Sequence, residues 1–377
     1  MRLRDIGIRL GDLPPGPHNA ITDVAGVRVG HTTLISGEGR LRVGEGPVRT
    51  GVTVIVPGRD DPWAEPVTAG AHRLNGNGEL TGLEWIRESG LLTTAIAVTN
   101  THSVGVVRDA LIAWKVAHDV RTDDPWSLPV VGETWDGVLS DVNGMHVRPE
   151  HVWSAIEAAA SGPVAEGNVG GGTGMICHGF KGGIGTASRT TGDDGWTVGV
   201  LVQANHGRRS RLSIDGVPVG RAIPEDAVPV PRPPASASPP GAGSIIVVVA
   251  TDAPLLPTQC DRLAQRAALG IGRTGGAGEN SSGDLILCFA TGNRLGSPEA
   301  PATAVPVDLH MLPHPSLDRL FYATIEATEE AIGNALLQAQ TMTGRDGIIA
   351  HALDPEQLLE VMRRYGRGPV ADSDLPR

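Results

Sequence analysis

Aromatic side chains make up only 3% of this 377-residue chain. Its core cannot be organised around large rings and has to be packed from valine, isoleucine, leucine and alanine. Cysteine is scarcer still. Cys177, Cys260 and Cys288 are odd in number and show no C-x-x-C spacing. That excludes a disulfide framework and reads as three buried free thiols of a reducing compartment. Long apolar runs are missing too: none reaches the ~18 residues of a membrane span. The opening Met-Arg-Leu-Arg-Asp-Ile-Gly has no apolar signal core, so the expected location is cytoplasmic. Positive charge is in deficit, with 31 Lys and Arg against 42 Asp and Glu and a net charge of −11. A nucleic acid or an anionic membrane is therefore not an expected partner.

Several catalytic signatures are absent as well. The run Gly170-Gly-Gly-Thr-Gly174 has neither the lysine of a phosphate loop nor the G-x-G-x-x-G that opens a dinucleotide-binding helix. It reads as close packing of backbone, and no cofactor is expected. The twelve histidines contain no H-E-x-x-H and no His/Cys cluster at metal spacing, so no metal is expected either. His102, His178 and His206 read as hydrogen-bonded structural residues. No G-x-S-x-G elbow is present, which argues against an α/β-hydrolase.

What the chain has in excess is glycine, 51 residues and about twice the usual share of ~7%. Hydrophobic residues at 40% and charged residues at 19% describe a globular protein. Period-2 patterns or buried apolar runs predict strands at 21–36, 51–57, 91–99, 129–136, 196–205, 244–250 and 285–291. Helical spacing is read at 106–119, 149–160, 257–269, 317–341 and 355–365. Residues 69–90 read as a turn-rich piece with a short helix, and 166–187 as the glycine-densest part. One feature interrupts this order. Residues 221–243 hold seven prolines and read as an extended, mobile linker. Strands and helices occur on both sides of it, so 1–377 reads as one layered domain.

The linker stops at Gly243, and Ser244 begins a buried, β-branched strand. Two readings fit those residues. One is a surface linker feeding a core strand. The other is a self-processing hydrolase, in which a cut between Gly243 and Ser244 frees an amine. Ser244 would then carry its own nucleophile and its own base. Acyl transfer also needs donors for the developing oxyanion. The amide of Asn205 at the end of its strand is a candidate. Ser282 and Asp284 lie two apart, so at strand spacing they point to one side; a plain turn before a strand would show the same pair.

The segments Ile21-Thr-Asp-Val-Ala-Gly-Val-Arg-Val-Gly-His31, Asn77-Gly-Glu-Leu-Thr-Gly-Leu83, Thr99-Asn-Thr-His-Ser-Val-Gly105 and Val130-Val-Gly-Glu-Thr-Trp-Asp-Gly137 carry a resemblance. So do Glu166-Gly-Asn-Val-Gly-Gly-Gly-Thr-Gly174, Val202-Gln-Ala-Asn-His-Gly207, Gly243-Ser244 and Asn280-Ser-Ser-Gly-Asp284. Together they make the chain similar, over nearly its whole length, to the DmpA-type peptidases: the L-aminopeptidase/D-esterase-amidases and β-peptidyl aminopeptidases. The resemblance implies an α/β (α+β) fold, a four-layer αββα sandwich like that of N-terminal-nucleophile hydrolases but with different strand connectivity. It implies cleavage into an α chain 1–243 and a β chain 244–377, and an oligomer, often a tetramer. It makes Ser244 the nucleophile, with Ser282 and Asp284 orienting its amine and hydroxyl, Asn205 donating to the oxyanion, and Glu133 meeting the substrate's free amino group. The substrates implied are short peptides, amides or esters, with D- or β-aminoacyl groups included.

Two positions depart from the pattern of those relatives. Asp284 stands where Glu is common, which shortens the reach of the carboxylate. Trp135 stands where Tyr is common, and an indole N–H donates one hydrogen bond but accepts none. Two alternatives stay open on these residues. One is an acyltransferase of the ornithine-acetyltransferase type, against which the serine nucleophile counts, since those relatives use threonine. The other is an inactive binding relative.

Overall fold

The computed structural model describes residues 1–58, 62, 65–118, 126–192, 195–233, 243–295 and 306–368. The chain opens with β1 (Val27–Ser36), β2 (Val48–Pro57) and β3 (Val67–Gly76). Then follow α1 (Leu83–Ser89), β4 (Leu91–Leu92), β5 (Ile96–Asn100), α2 (Val104–His118), β6 (Val130–Thr134) and α3 (Pro149–Glu157). The middle of the chain forms β7 (Ile176–Cys177), β8 (Phe180–Lys181), β9 (Gly183–Thr190), β10 (Thr197–Asn205) and α4 (Val219–Ala222). After Gly243 come β11 (Ser244–Thr251), α5 (Pro257–Arg273), β12 (Gly283–Ala290), α6 (Leu317–Gln338), β13 (Met342–Thr343), β14 (Ile349–Ala350) and α7 (Pro355–Arg364).

Two sheets dominate. One has the order β1-β2-β5-β6, the other β4-β3-β12-β11-β10-β9. Only β5 with β6 and β11 with β12 run parallel within them. The sequence explains the stacking. Along β11, Ile245, Val247 and Val249 join the core under α5 and α6, while Ile246, Val248 and Ala250 join the core between the sheets. A strand buried on both faces shows this period-2 split with no polar face. β12 does the same, with Ile286 and Cys288 on the helix side and Leu285, Leu287 and Phe289 on the sheet side. A third core joins α2 and α3 to the outer face of the smaller sheet. The layers are thus α, β, β, α, the fold class expected. Each fully buried Val, Ile or Leu adds roughly 1.5–3 kcal/mol, so aliphatics alone can carry a core of this size. No helix among the described residues is long and apolar enough to cross a membrane.

The structure departs from the sequence reading in four places. Residues 67–76 form a ten-residue strand inside the larger sheet, not a turn-rich piece. Its Ala-Gly-Ala centre hid it, and that centre exists because α5 lies against it. A Cβ on Gly70 would stand 2.4 Å from the Asp261 nitrogen and 2.8 Å from the Pro257 carbonyl oxygen. Likewise the glycine-dense stretch contains β9, where a Cβ on Gly185 would meet the Ala331 oxygen of α6 at 2.0 Å. The strand read at 91–99 is two strands, β4 in one sheet and β5 in the other, and residues 93–95 carry the chain across. Finally, the start of the proline-rich segment is docked: Ile223 is in the core, and the Arg209 guanidinium donates to the carbonyls of Ile223 and Val228. Residues 234–242 of that segment lie outside the described residues.

A buried charge cluster ties the N-terminal segment and β9 to α6. Arg189 donates to Glu330 at 2.6 Å and to Glu326 at 3.1 Å, and Arg4 and Asn19 also reach Glu330. Burial alone would push the Glu330 carboxyl up; Arg189 and Arg4 outweigh it and hold it low. Arg189→Met leaves two carboxylates without their shared cation. The expected loss is about 3–5 kcal/mol, read as a lower urea midpoint than wild type.

Candidate active site

Ser244 is the first residue of a central strand, 5% exposed, with β10 on one side and β12 on the other. The antiparallel pairing with β10 sets Ser244 opposite Asn205. The parallel pairing with β12 sets Ile245 opposite Asp284. These two registers assemble the site. The Gly283 amide donates to Ser244 Oγ at 3.0 Å, and Ser282 Oγ donates to Asp284 Oδ1 at 2.6 Å. The i, i+2 spacing read from the sequence is therefore a direct side-chain bond. Burial raises the Asp284 carboxyl to about 6; the Ser282 hydroxyl and the Ile245 backbone lower it, and nearby Glu279 raises it again.

Gly243 is needed for space. A Cβ there would stand 1.9 Å from the Asn205 carbonyl oxygen and 3.4 Å from Asn205 Nδ2. That contact places the Asn205 amide beside the Gly243–Ser244 junction. Asn205 Oδ1 accepts from the Ile176 amide at 2.7 Å, and Nδ2 donates to the Trp135 carbonyl at 2.9 Å. A side-chain amide has two N–H donors, so one is left for a ligand.

On the facing sheet, Glu133 is buried at the end of β6. It accepts from the Glu79 amide at 3.0 Å and from the Thr101 hydroxyl. Burial raises its carboxyl above the ordinary value, against the lowering effect of those donors and of His102. Gly78 links it to the Ser244 side of the site: a Cβ there would be 3.1 Å from both Glu133 Oε1 and Gly283 Cα. Trp135 is 41% exposed, edge-on to His102 at 5.4 Å between ring centroids. It enters the site through its carbonyl as well as its ring. The fold thus brings Ser244, Ser282, Asp284, Asn205, Gly243, Glu133 and Trp135 to one end of the two sheets.

Sequence reasoning missed the groups that hold these residues. The Gly283 amide is invisible to side-chain patterns. Asn75 Nδ2 donates to the carbonyls of Glu279 and Ser282, and Asn77 Nδ2 to that of Ser281, so the end of β3 clamps the turn before β12. The Asn75-Gly-Asn-Gly run was the available signal for that clamp. Linear spacing also hid a cluster of Cys177, His178 and His206 that the fold brings together, each fully buried. No linear metal spacing joins the three, because His206 stands 28 residues after His178.

Known proteins resemble the chain over most of its length. The model of Peptidase family S58 matches residues 19–350. A beta-peptidyl aminopeptidase, BapA of Sphingosinicella microcystinivorans, is 50% identical over 374 residues, covering 97% of this chain and 93% of that protein. The structure of a Burkholderia sp. beta-aminopeptidase superposes with a TM-score of 0.90 at 51% identity, covering 97% of this chain and 99% of that one. The l-aminopeptidase d-ala-esterase/amidase of Ochrobactrum anthropi, a prototype serine aminopeptidase with a variant of the Ntn hydrolase fold, gives 0.87 at 45% identity, covering 97% and 99%. The αββα sandwich is thus shared with these solved structures, and the chain belongs to peptidase family S58 as a serine aminopeptidase of the DmpA type.

Proposed function

We propose that the chain cuts itself between Gly243 and Ser244 and then uses the freed Ser244 as an N-terminal nucleophile. The observation that carries this reading is the Gly283 amide on Ser244 Oγ, with the bonded Ser282–Asp284 pair one residue away on either side of it. In the cut enzyme the Ser244 amine takes the hydroxyl proton as Oγ attacks the carbonyl carbon of the substrate's first residue. The free Nδ2 proton of Asn205 stabilises the oxyanion. Collapse breaks the C–N bond, the leaving amine takes the proton, and an ester on Ser244 remains. Water then hydrolyses that ester by the reverse proton path. Ser282 and Asp284 hold the amine and the hydroxyl in line. Glu133 pairs with the substrate's ammonium and so restricts the enzyme to free N-termini.

The substrates in this reading are short peptides, amides and esters. The likeness to proteins described as beta-peptidyl and beta-aminopeptidases favours β-aminoacyl groups among them. Intact αβ units are taken to assemble further, as a tetramer, in the cytoplasm; the three buried free thiols support a reducing compartment.

Denaturing mass spectrometry tests the cut. Wild type should give two chains, 1–243 and 244–377, and Ser244→Ala a single inactive chain. An uncut Ser244→Ala protein that still hydrolyses aminoacyl p-nitroanilides sinks the assignment. Acidity tests Asp284. In the uncut chain its carboxyl titrates at about 6, raised by burial, and only the ionised form accepts a proton. Cutting of freshly translated chain should therefore accelerate as pH rises through about 6 and level off above it. Asp284→Asn should be slow at every pH. Glu133→Gln keeps the size and removes the charge. It should leave cutting intact and lower kcat/KM for aminoacyl p-nitroanilides roughly 30-fold or more, mostly through KM, as expected for a buried ion partner.

A further inference from the structure

The cluster of Cys177, His178 and His206 has no part in the reaction above. Its residues meet because the two-residue strand β7 lies against the end of β10. Each offers one ligand atom, and the three atoms lie within 4.8 Å of one another. Cys177 Sγ is 3.8 Å from His206 Nδ1. The rings of His178 and His206 are 5.1 Å apart, nearly edge to face.

The surroundings hold these rings as they would hold metal ligands. His178 Nδ1 is 3.1 Å from the Arg208 carbonyl oxygen. A carbonyl only accepts, so Nδ1 carries the proton and Nε2 presents its lone pair. Histidines on metals are commonly fixed in this way, through the other nitrogen to a backbone carbonyl. The backbone amide of His178 donates to the His206 carbonyl at 2.7 Å, and its φ is +49°. That strained backbone is what turns the ring inward. Gly207, at φ +84°, makes room for it: a Cβ there would strike the His178 ring at 2.3 Å.

A further observation points to a ligand. Nε2 of His178 and Nε2 of His206 are both fully buried and both lack a hydrogen-bond partner. A buried nitrogen left unpaired costs on the order of 1–3 kcal/mol, so His178 Nε2, on a ring whose Nδ1 is already held, calls for an occupant.

We propose that Cys177, His178 and His206 form a three-ligand site for a soft or borderline transition-metal cation of the Cu⁺ and Zn²⁺ class, filled as the chain folds. One thiolate sulfur and two imidazole nitrogens match those ions and not Mg²⁺ or Ca²⁺, which take oxygen. Binding replaces the S–H bond of Cys177 with an S–metal bond, and the proton leaves to solvent; no electrons are exchanged. Beside the cluster, Lys181 Nζ donates to the carbonyls of Gly172, Met175 and Gly182. The site flanks Asn205 from both sides. His206 follows it in sequence, and Ile176, next to Cys177, donates to its Oδ1. A metal here would pin the proposed oxyanion donor without touching substrate.

Metal content decides the matter. Full-length protein is produced in copper-supplemented and, separately, zinc-supplemented medium, the copper sample being purified without oxygen. It is then desalted and measured by mass spectrometry of the elements. Wild type should keep about one equivalent of copper or of zinc per chain, and Cys177→Ala and His178→Asn less than about a tenth of either. Asparagine tolerates the left-handed backbone, so His178→Asn keeps the local turn. Metal should raise the Tm of wild type and leave both variants unmoved. X-ray absorption on loaded wild type needs no variant and should read one sulfur and two nitrogens at the ion. Wild type holding no more of either metal than the variants, or an ion ringed by oxygen, overturns the site.

Discussion

The site exists because a strand begins where two different registers meet. Ser244 pairs antiparallel to the end of β10 and lies beside the start of the parallel strand β12. Parallel neighbours cannot be joined by a hairpin and need a crossover. Here the crossover is α5, which packs on the same sheet that it links. Without that helix against β3 and β12, Asp284 and the Gly283 amide would have no fixed place relative to Ser244. Packing far from Ser244 thus sets the 3.0 Å contact at its hydroxyl and the 2.6 Å bond of the neighbouring Ser282–Asp284 pair. The glycines at 70 and 185 belong to the same argument, because they let α5 and α6 approach the sheet closely enough to hold it flat against its partner.

Much of this was legible in the sequence. Buried aliphatic runs marked β10, β11 and β12, and the spacing of Ser282 and Asp284 survived as a real side-chain bond. What the sequence hid follows a rule. Where two backbones approach closely, side chains must be small, and small side chains carry no period. That is why β3 and β9 read as turns or glycine runs. The break at 93–95 was hidden by the opposite effect: apolar and threonine residues continue through it, so nothing signals the change of sheet. The holding groups were least legible. A backbone amide such as that of Gly283 has no letter in the sequence, and the Thr101 and Glu79 donors to Glu133 are over thirty residues away from it in the chain. Cys177 and His178 are separated from His206 by an entire hairpin, so no spacing rule joins them.

Trp135 illustrates how the ring and the backbone of one residue can serve different neighbours. The ring is exposed and leans on His102, while the carbonyl of the same residue anchors Asn205. Backbone geometry does not depend on which ring is attached, so the anchor survives a change of side chain. At Asp284 the contact is made by side chains. Its partner Ser282 lies in the turn just before β12, and the i, i+2 spacing brings the two together.

The buried ions of α6 carry a last implication. Arg4, Asn19 and Arg189 precede Ser244 in the chain, and Glu326 and Glu330 follow it. The larger sheet is interleaved in the same manner, with β3, β9 and β10 from before the junction and β11 and β12 from after it. Two pieces made by scission there would share one hydrophobic interior, so neither could dissociate and refold alone. Half-molecules would never be traded between copies, and every enzyme would keep for life the fragment it was born with.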